Sequence, residues 1–515
     1  MERVDAVVIG AGISGLTAAA LLTKKGYRCK VLERDVHPGG CAAHYQKEGY
    51  SFAVGATVAM GLEPGGLVRK IYEQLDLSPN YVEVNPALRV HLDDRRISVE
   101  KTREAWFTEL ASKFPGQEKE KQAFWREAMN LAAAMYYASK RFPVLPFKRF
   151  ADMTDTLKAF HPKLLTLVPH LSRTVKDRLE HYGIDDPAHK AFIDGQLLDA
   201  MQTTSDHCVM TSGALALDIY RYGCQYKIGG LSTIAEDLAE YVTANGSEVA
   251  YATRVKQIFQ DKHQVKGVAT NRGDVYAPVI VSAIPLSNTA ELLQPSQTNL
   301  AVRAQKQAPM WGAFTLYMGI DENCLPEDSH YYEQVTEVGH YHDGGNLLMS
   351  ISPAWDRSRA PEGKRAVTVS THVDAQQWLE LSKDKTAYRQ AKTQMEEALL
   401  SRIERVFPGL RGSIEYFRSG TPKTFQNFTL RAGGTVGGFP QTVSFANFNA
   451  PSHHSSVKGL FLAGDTVFPG QGVLGVTVSG HNAARSASRY LTKAINRSSH
   501  AKRLDPPLKE ANYVG

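Results

Sequence analysis

Val4-Asp5-Ala6-Val7-Val8-Ile9-Gly10-Ala11-Gly12-Ile13-Ser14-Gly15-Leu16 decides the fold. Val4, Ala6, Val7, Val8 and Ile9 make the apolar run of a strand buried on both faces of a parallel sheet. Gly10 to Gly15 is a turn, and Leu16 to Lys25 continues as an Ala/Leu-rich helix. In this arrangement Gly10 permits the tight turn, Gly12 lets the backbone approach a pyrophosphate, and Gly15 lets helix and strand pack closely. Ser14 lies in that turn, just ahead of the helix, whose N-terminal free N–H groups and positive dipole end suit phosphate. A second strand, Cys29 to Leu32, delivers Glu33, 18 residues past Gly15, where an acid binds a ribose hydroxyl. Strand, glycine turn, helix and acid in this order predict a dinucleotide-binding α/β fold.

The segment Arg34-Asp35-Val36-His37-Pro38-Gly39-Gly40 chooses between nicotinamide and flavin. A strand ending in Glu, a short basic segment and Gly-Gly resemble the FAD-binding entrance of the glutathione-reductase-like flavoproteins. The resemblance implies that Arg34 and the backbone of Gly39 and Gly40 run beside the flavin phosphates. The amine-oxidase branch usually places Arg two residues before Gly-Gly and again just after it; here those places hold His37 and Cys41. Nucleotide-fold grammar returns at Lys227-Ile228-Gly229-Gly230-Leu231-Ser232, which enters a helix over 233–244. The same resemblance sets Val255 against the adenine. Gly459 to Asp465 is a third segment, a strand ending in Gly464-Asp465, whose carboxylate suits a ribitol hydroxyl or buttresses the phosphate region. The turn 468–476 follows, with a helix predicted over 477–494. Gly470, Gly472 and Gly475, with Val473 among them, leave backbone free to lie against a flavin ring, and the helix N-terminus favours negative charge there.

With 515 residues, 43% hydrophobic and 22% charged, the chain has room for two or three ordinary globular domains. The expected partition is an FAD domain in three pieces (1–80, 223–298 and 441–495), an inserted α+β substrate domain in two (81–222 and 299–440), and a tail from 496 to 515. A net charge of +6 without a nucleic-acid motif gives no reason to expect nucleic acid. The five cysteines, at 29, 41, 208, 224 and 324, have no metal or redox spacing and suit a reducing, cytoplasmic setting. No metal site is expected. No secretory leader or membrane-spanning run is read from the sequence.

A wider resemblance now has its residues. Val8 to Ala19, Gly39-Gly40-Cys41-Ala42, Glu48 to Phe52 and Gly464 to Gly472 resemble the carotenoid desaturase/isomerase family, related to phytoene dehydrogenase. Val54 to Thr57 with Gly61 to Gly66, and Gly420 to Phe425 with Val436-Gly437-Gly438, are most similar to its bacterial carotenoid 3,4-desaturase branch. The Phe468-to-Gly472 piece is also typical of the cis–trans isomerase branch. The resemblance runs from residue 4 to about 490. It implies FAD, a long polyene substrate, peripheral attachment to a membrane, and desaturation with quinone or oxygen as electron acceptor. The alternatives are isomerisation on reduced FAD, or a ketolase or oxidase reaction. A non-enzymatic prenyl-lipid carrier on a related scaffold is a further rival, opposed by the intact Glu33 and Gly464-Asp465.

Between residues 140 and 178 nine Lys and Arg face three Asp, a net +6 equal to that of the whole chain. Phe142, Phe147, Phe150, Phe160, Leu164, Leu165 and Val168 interleave with them. Basic and apolar residues together predict an interfacial helix on anionic lipid; a helix pair capping the domain is the alternative. No serine–histidine pattern, metal spacing or carboxylate pair stands out. Accordingly the flavin carries the redox chemistry and the protein supplies alignment and charge. Ser479-Gly480-His481 reads as helix packing near the cofactor, and His453-His454 as surface loop. Tyr220, Tyr222 and Tyr226 are tunnel-lining or half-buried structural tyrosines.

Overall fold

The fold was obtained as a computed structural model, which describes residues 2–261, 263–293 and 311–504. Five parallel strands form the first sheet, in the order Glu248–Ala250, Cys29–Leu32, Ala6–Ile9, Val279–Ser282 and Leu460–Leu462. In the central strand successive side chains take opposite faces, as strand geometry requires. Ala6 and Val8 join one core with Leu16, Leu22, Leu238 and Ala487. Val7 and Ile9 join another with Ile258, Val268 and Leu462. The first core is made by three helices, Ile13–Lys24, Thr233–Ala244 and Gly472–Leu504. The second lies under a hairpin sheet that includes Val255–Asp261, Gln264–Thr270 and Gly273–Tyr276. This is the Rossmann-like α/β fold expected from the opening stretch.

Two close approaches fix the helices. A Cβ on Gly15 would sit 2.1 Å from the carbonyl oxygen of Gly10, and one on Gly480 would sit 2.2 Å from that of Ser14. The last helix therefore crosses the first at a contact only glycine allows. That helix starts at Gly472, ahead of the predicted Thr477, and runs to Leu504, through the start of the expected tail. Residues 294–310 and 505–515 lie outside the described residues, and with them the start of the second substrate-domain piece and the end of the tail.

A second sheet has seven strands, ordered Ile414–Gly420, Trp311–Asp321, Lys364–Asp374, Asn346–Ile351, Tyr332–Thr336, Arg89–Leu92 and Arg95–Ser98. The Arg89–Leu92/Arg95–Ser98 hairpin turns at Asp93-Asp94. It joins the sheet through a parallel pairing with Tyr332–Thr336, so stretches far apart in sequence share one layer. The helix Lys385–Val406 covers one face through Leu399 and Ile403. The helices Glu118–Ser139, Pro187–Met201 and Met210–Asp218 pack a separate core around Trp106, Trp125 and Phe192.

Residues 140–178 do not make the single interfacial helix expected. Pro143, Pro146, Pro162 and Pro169 lack the N–H a helix needs, and the segment breaks into Phe150–Leu157, a 3-10 stretch Pro162–His170 and Val175–His181. The polarity of Phe150–Leu157 is inverted. Its buried residues are Asp152 and Asp155, while Phe150 is 76% exposed and Leu157 60%. Asp155 receives both guanidinium nitrogens of Arg489, at 2.6 and 2.8 Å. Asp152 accepts from the N–H groups of Lys148 and Arg149 and lies 2.9 Å from His454 Nε2. The helix is thus pinned by its acids to the half of the fold that holds the parallel sheet, through Arg489 on the last helix and His454 before the last strand. Phe147, Met153, Phe160, Leu165 and Val168 are exposed beside it. His453 and His454, expected on a surface loop, are buried here, and His453 Nε2 lies 2.8 Å from Ser486 Oγ. Among the described residues no helix is long and apolar enough to cross a membrane.

Candidate active site

One cavity of about 1670 Å³ runs along the C-terminal ends of the parallel strands and on beneath the second sheet. Such crevices open where strand order reverses, here on either side of Ala6–Ile9. Of the expected cofactor residues, Gly10, Gly12, Ser14, Glu33, Arg34, Gly39, Gly40, Val255, Gly464, Asp465 and Val473 all line it. Gly472 and Gly475 line it too, whereas Gly15 and Gly470 do not. Gly15 is a packing residue, and a Cβ on Gly470 would meet the Gln441 amide at 2.8 Å. Gly229-Gly230 also lies off the cavity: Gly229 N–H donates to Asp356 at 2.9 Å, and the pair serves as the turn into the Thr233–Ala244 helix.

The turn after the first strand is shaped for a phosphate ligand. Gly10 has φ +98°, which a side chain rarely tolerates, whereas a Cβ on Gly12 would meet nothing within 4 Å. No side chain caps the helix at Gly12, so its first N–H groups remain for an anion. Glu33 is held in place by N–H groups: Ala11 donates to Oε2 at 2.7 Å and Asp35 to Oε1 at 2.8 Å. Burial raises its pKa against those two bonds. The turn and strand thus leave a groove bounded by backbone donors with a fixed carboxylate at its rim, which fits a dinucleotide.

At the other end of the groove the helix Gly472–Leu504 points its N-terminus at the cavity, with Gly472 to Val476 in the wall. A buried cation stands nearby. Arg431 Nη2 lies 2.9 Å from Asp465 Oδ2 and donates to the Gly437 carbonyl at 2.6 Å. Its Nη1 reaches Cys41 Sγ at 3.7 Å, and its Nε is buried without a partner. The sequence carried no signal for Arg431, because its partners lie at positions 41, 437 and 465 and no spacing links them. Burial raises the Cys41 thiol, so it is a neutral neighbour rather than a thiolate.

Beyond this point the walls turn apolar, with Ala200, Leu215, Ala216, Ile219, Leu348 and Val436 among them. Of the three tyrosines read as tunnel candidates, only Tyr220 lines the cavity. Tyr226 donates to Asp356 at 2.7 Å, and Tyr222 packs on Tyr136 with ring centres 4.1 Å apart. His481 stacks on Phe142 at 3.8 Å, and burial drives its pKa down to about 3. The cavity reaches the surface at Val168 and Phe448, both exposed and both in its wall. Phe147 sets its ring against Phe448 at 5.8 Å, so this mouth opens into the exposed apolar patch.

Residues 13–487 match the family model described as flavin containing amine oxidoreductase. The chain is 29% identical over 494 residues to the chloroplastic prolycopene isomerase of Daucus carota, covering 92% of this chain and 78% of that one. It is 26% identical over 509 residues to all-trans-retinol 13,14-reductase of Danio rerio, covering 90% and 82%. Among solved structures, an oxidoreductase from Methanosarcina mazei aligns with a TM-score of 0.64 at 18% identity, covering 93% of this chain and all of that one. Cyclohexylamine oxidase from Brevibacterium oxydans IH-35A aligns at 0.63 and 15% identity, covering 96% of this chain and all of that one. These structural likenesses bear on the fold; the family match carries the cofactor, a flavin of the FAD type.

Proposed function

Since the chain belongs to the flavin-containing amine oxidoreductase family, we propose that it acts on a long polyene, of carotenoid or retinoid type, and isomerises it between cis and trans forms on reduced FAD. The observation that carries this reading is the cavity itself: one continuous channel from the glycine turn, along apolar walls, to a mouth in an exposed apolar patch. A substrate charged or polar along its length would need polar partners throughout the channel; a mostly apolar polyene does not. Relatives named prolycopene isomerase and all-trans-retinol 13,14-reductase, each matched over nine-tenths of this chain, support a polyene substrate. They favour isomerisation over the desaturation implied by the 3,4-desaturase resemblance. Desaturation is the second reading, supported by the Val54–Thr57, Gly61–Gly66 and Gly420–Phe425 segments.

When bound, FAD supplies a two-electron carrier with a reduced form that bears negative charge. The chain's own residues do the rest. The backbone around Gly10, Gly12, Ser14, Gly39 and Gly40 would hold the phosphates, Glu33 the adenosine ribose, Val255 the adenine, and Gly464-Asp465 the ribitol side. The helix N-terminus at Gly472–Val473, with Arg431 paired to Asp465, would favour negative charge on the reduced cofactor. Gly472 starts this helix at φ +77°, a conformation that side chains rarely adopt. The apolar walls exclude water and align the chain, and alignment is worth several kcal/mol of barrier.

The exposed patch supports a peripheral membrane location. A helix that buries two aspartates and exposes Phe150, Met153 and Leu157 faces something other than water. Exposed Arg141, Lys148, Arg149, Lys158 and Lys163 surround it, suiting anionic lipid. A polyene dissolved in the bilayer then meets the mouth directly. The test is expression in polyene-producing cells, with the accumulated pigment identified by absorption and mass. An unchanged mass with a shifted spectrum supports isomerisation; a loss of two hydrogens supports desaturation, and added oxygen an oxidase.

A further inference from the structure

Within the apolar stretch of the cavity stands one polar cluster with spare hydrogen-bonding capacity. Asp199, Gln202 and His372 all line it. Gln202 is only 5% exposed and ends the helix Pro187–Met201 in the left-handed region at φ 58° and ψ 26°. That conformation is one a non-glycine residue rarely adopts, and the residue lines the cavity. The Gln202 amide nitrogen lies 3.1 Å from His372 Nε2. Gln202 Oε1 and His372 Nδ1 are both buried without a partner. Whichever way the amide is turned, the pair leaves donors and one acceptor unused.

Asp199 completes the cluster. Gln334 donates to its Oδ2 at 2.6 Å and Asn346 to its Oδ1 at 3.1 Å. His372 Nδ1 stands 3.7 Å from Oδ1, too far for a hydrogen bond. Burial pushes the Asp199 carboxyl up to about 7 and the His372 imidazole down to about 4, so neither carries a firm charge at neutral pH. Buried polar atoms left unpaired are costly. A pure hydrocarbon would leave these unpaired, whereas a hydroxyl both donates and accepts.

We propose that the Gln202–His372–Asp199 cluster binds an oxygen function of the substrate, so that the preferred polyene is an alcohol rather than a hydrocarbon. This rests on the polyene reading given above and names the substrate class within it. Gln471, in the turn before Gly472, donates to the Ala200 carbonyl at 2.5 Å, so the cluster borders the flavin end of the channel. The hydroxyl then fixes which part of the polyene lies at the flavin.

The test is a matched pair of polyenes of equal length, one carrying a terminal hydroxyl and one lacking it. Each is titrated into the FAD-loaded protein in detergent micelles, with binding read from the polyene absorption shift. The expected result is tighter binding of the alcohol by tenfold or more, since a site built to hydrogen-bond a hydroxyl rejects the analogue without it. In Gln202→Leu and His372→Phe the preference should fall to within about twofold, with hydrocarbon affinity and FAD content kept. Equal affinities in the wild type, with both polyenes bound, overturn this assignment and leave the polyene reading standing. Loss of FAD from Gln202→Leu or His372→Phe would assign the cluster to the flavin and overturn it as well. Failure of both polyenes to bind overturns the polyene reading along with it.

Discussion

Replacing Phe150 and Leu157 by Ser in one protein removes the two most outward side chains of the inverted helix. Full burial of a Phe or Leu side chain is worth roughly 1.5–3 kcal/mol. Phe150 is 76% exposed and Leu157 60%, so both have most of that still to gain from lipid. Together they contribute about 2–4 kcal/mol to docking, which corresponds to a partition coefficient lower by roughly 30- to 1000-fold in the double variant. Folding stability should hold or rise slightly, because neither side chain is buried in the free protein and the helix is anchored by Asp152 and Asp155 on its other face. The assay is flotation with vesicles of neutral and of anionic lipid, at low and high salt, with urea unfolding of the free protein as control. Binding to neutral vesicles should vanish and binding to anionic vesicles should become salt-sensitive, as only the screened charges remain. Unchanged flotation on both vesicle types would refute the reasoning.

Changing Lys148, Arg149, Lys158 and Lys163 to Gln should weaken anionic-vesicle binding by about 1 kcal/mol per residue and leave neutral-vesicle binding alone; equal loss on both vesicle types would contradict a charge role. Gly12→Val should fold with little change in stability, since its Cβ meets nothing within 4 Å and its backbone sits at φ −73°, ψ 168°, yet lose flavin; full flavin absorbance in that variant would remove Gly12 from the phosphate site. Arg431→Leu leaves Asp465 without its 2.9 Å partner, and breaking a buried pair in this way costs about 3–5 kcal/mol; an unchanged urea midpoint would show that the pair is dispensable. Asp199, raised to about 7 when folded, adds stability that is full below its unfolded value near ~4 and is lost as pH rises through 7. His372, depressed to about 4, adds stability that is full above its unfolded value near ~6.5 and is lost as pH falls through 4, so the two oppose each other between. Asp199→Asn should therefore gain stability relative to the wild type as pH rises from 5 to 7, by up to about 1.4 kcal/mol per unit in urea unfolding; a difference independent of pH would mean the carboxyl is not held protonated.

The elements legible in the sequence are those whose grammar is local. The strand, turn and helix from Val4 to Lys25 carry their pattern within two dozen residues, and so does the strand from Cys29 that ends in Glu33. The helix start at Gly472 was obscured because glycines read as turn. In the fold Gly475 is required inside the helix, where a Cβ would lie 2.5 Å from the Gly470 carbonyl oxygen. Gly229-Gly230 shows the converse, a glycine pair resembling a cofactor segment that serves only as a turn. The basic and apolar content of residues 140–178 was visible, but not which face of Phe150–Leu157 turns outward. That depends on Arg489 and His454, 334 and 302 residues from Asp155 and Asp152. The same long-range closure hid Arg431 beside Asp465, and hid Asp199, Gln202 and His372, which come together only when the second sheet is laid against the helices.

The most direct measurement uses the purified, FAD-loaded protein reduced under strict anaerobiosis, mixed with a cis polyene in liposomes and with no electron acceptor supplied. Products are separated by chromatography and weighed by mass spectrometry. An isomerase yields the trans polyene at unchanged mass over many turnovers, and stops when the flavin is oxidised. Absence of turnover with reduced flavin, together with loss of two hydrogens once quinone or oxygen is added to the oxidised protein, would contradict isomerisation and make the chain a desaturase.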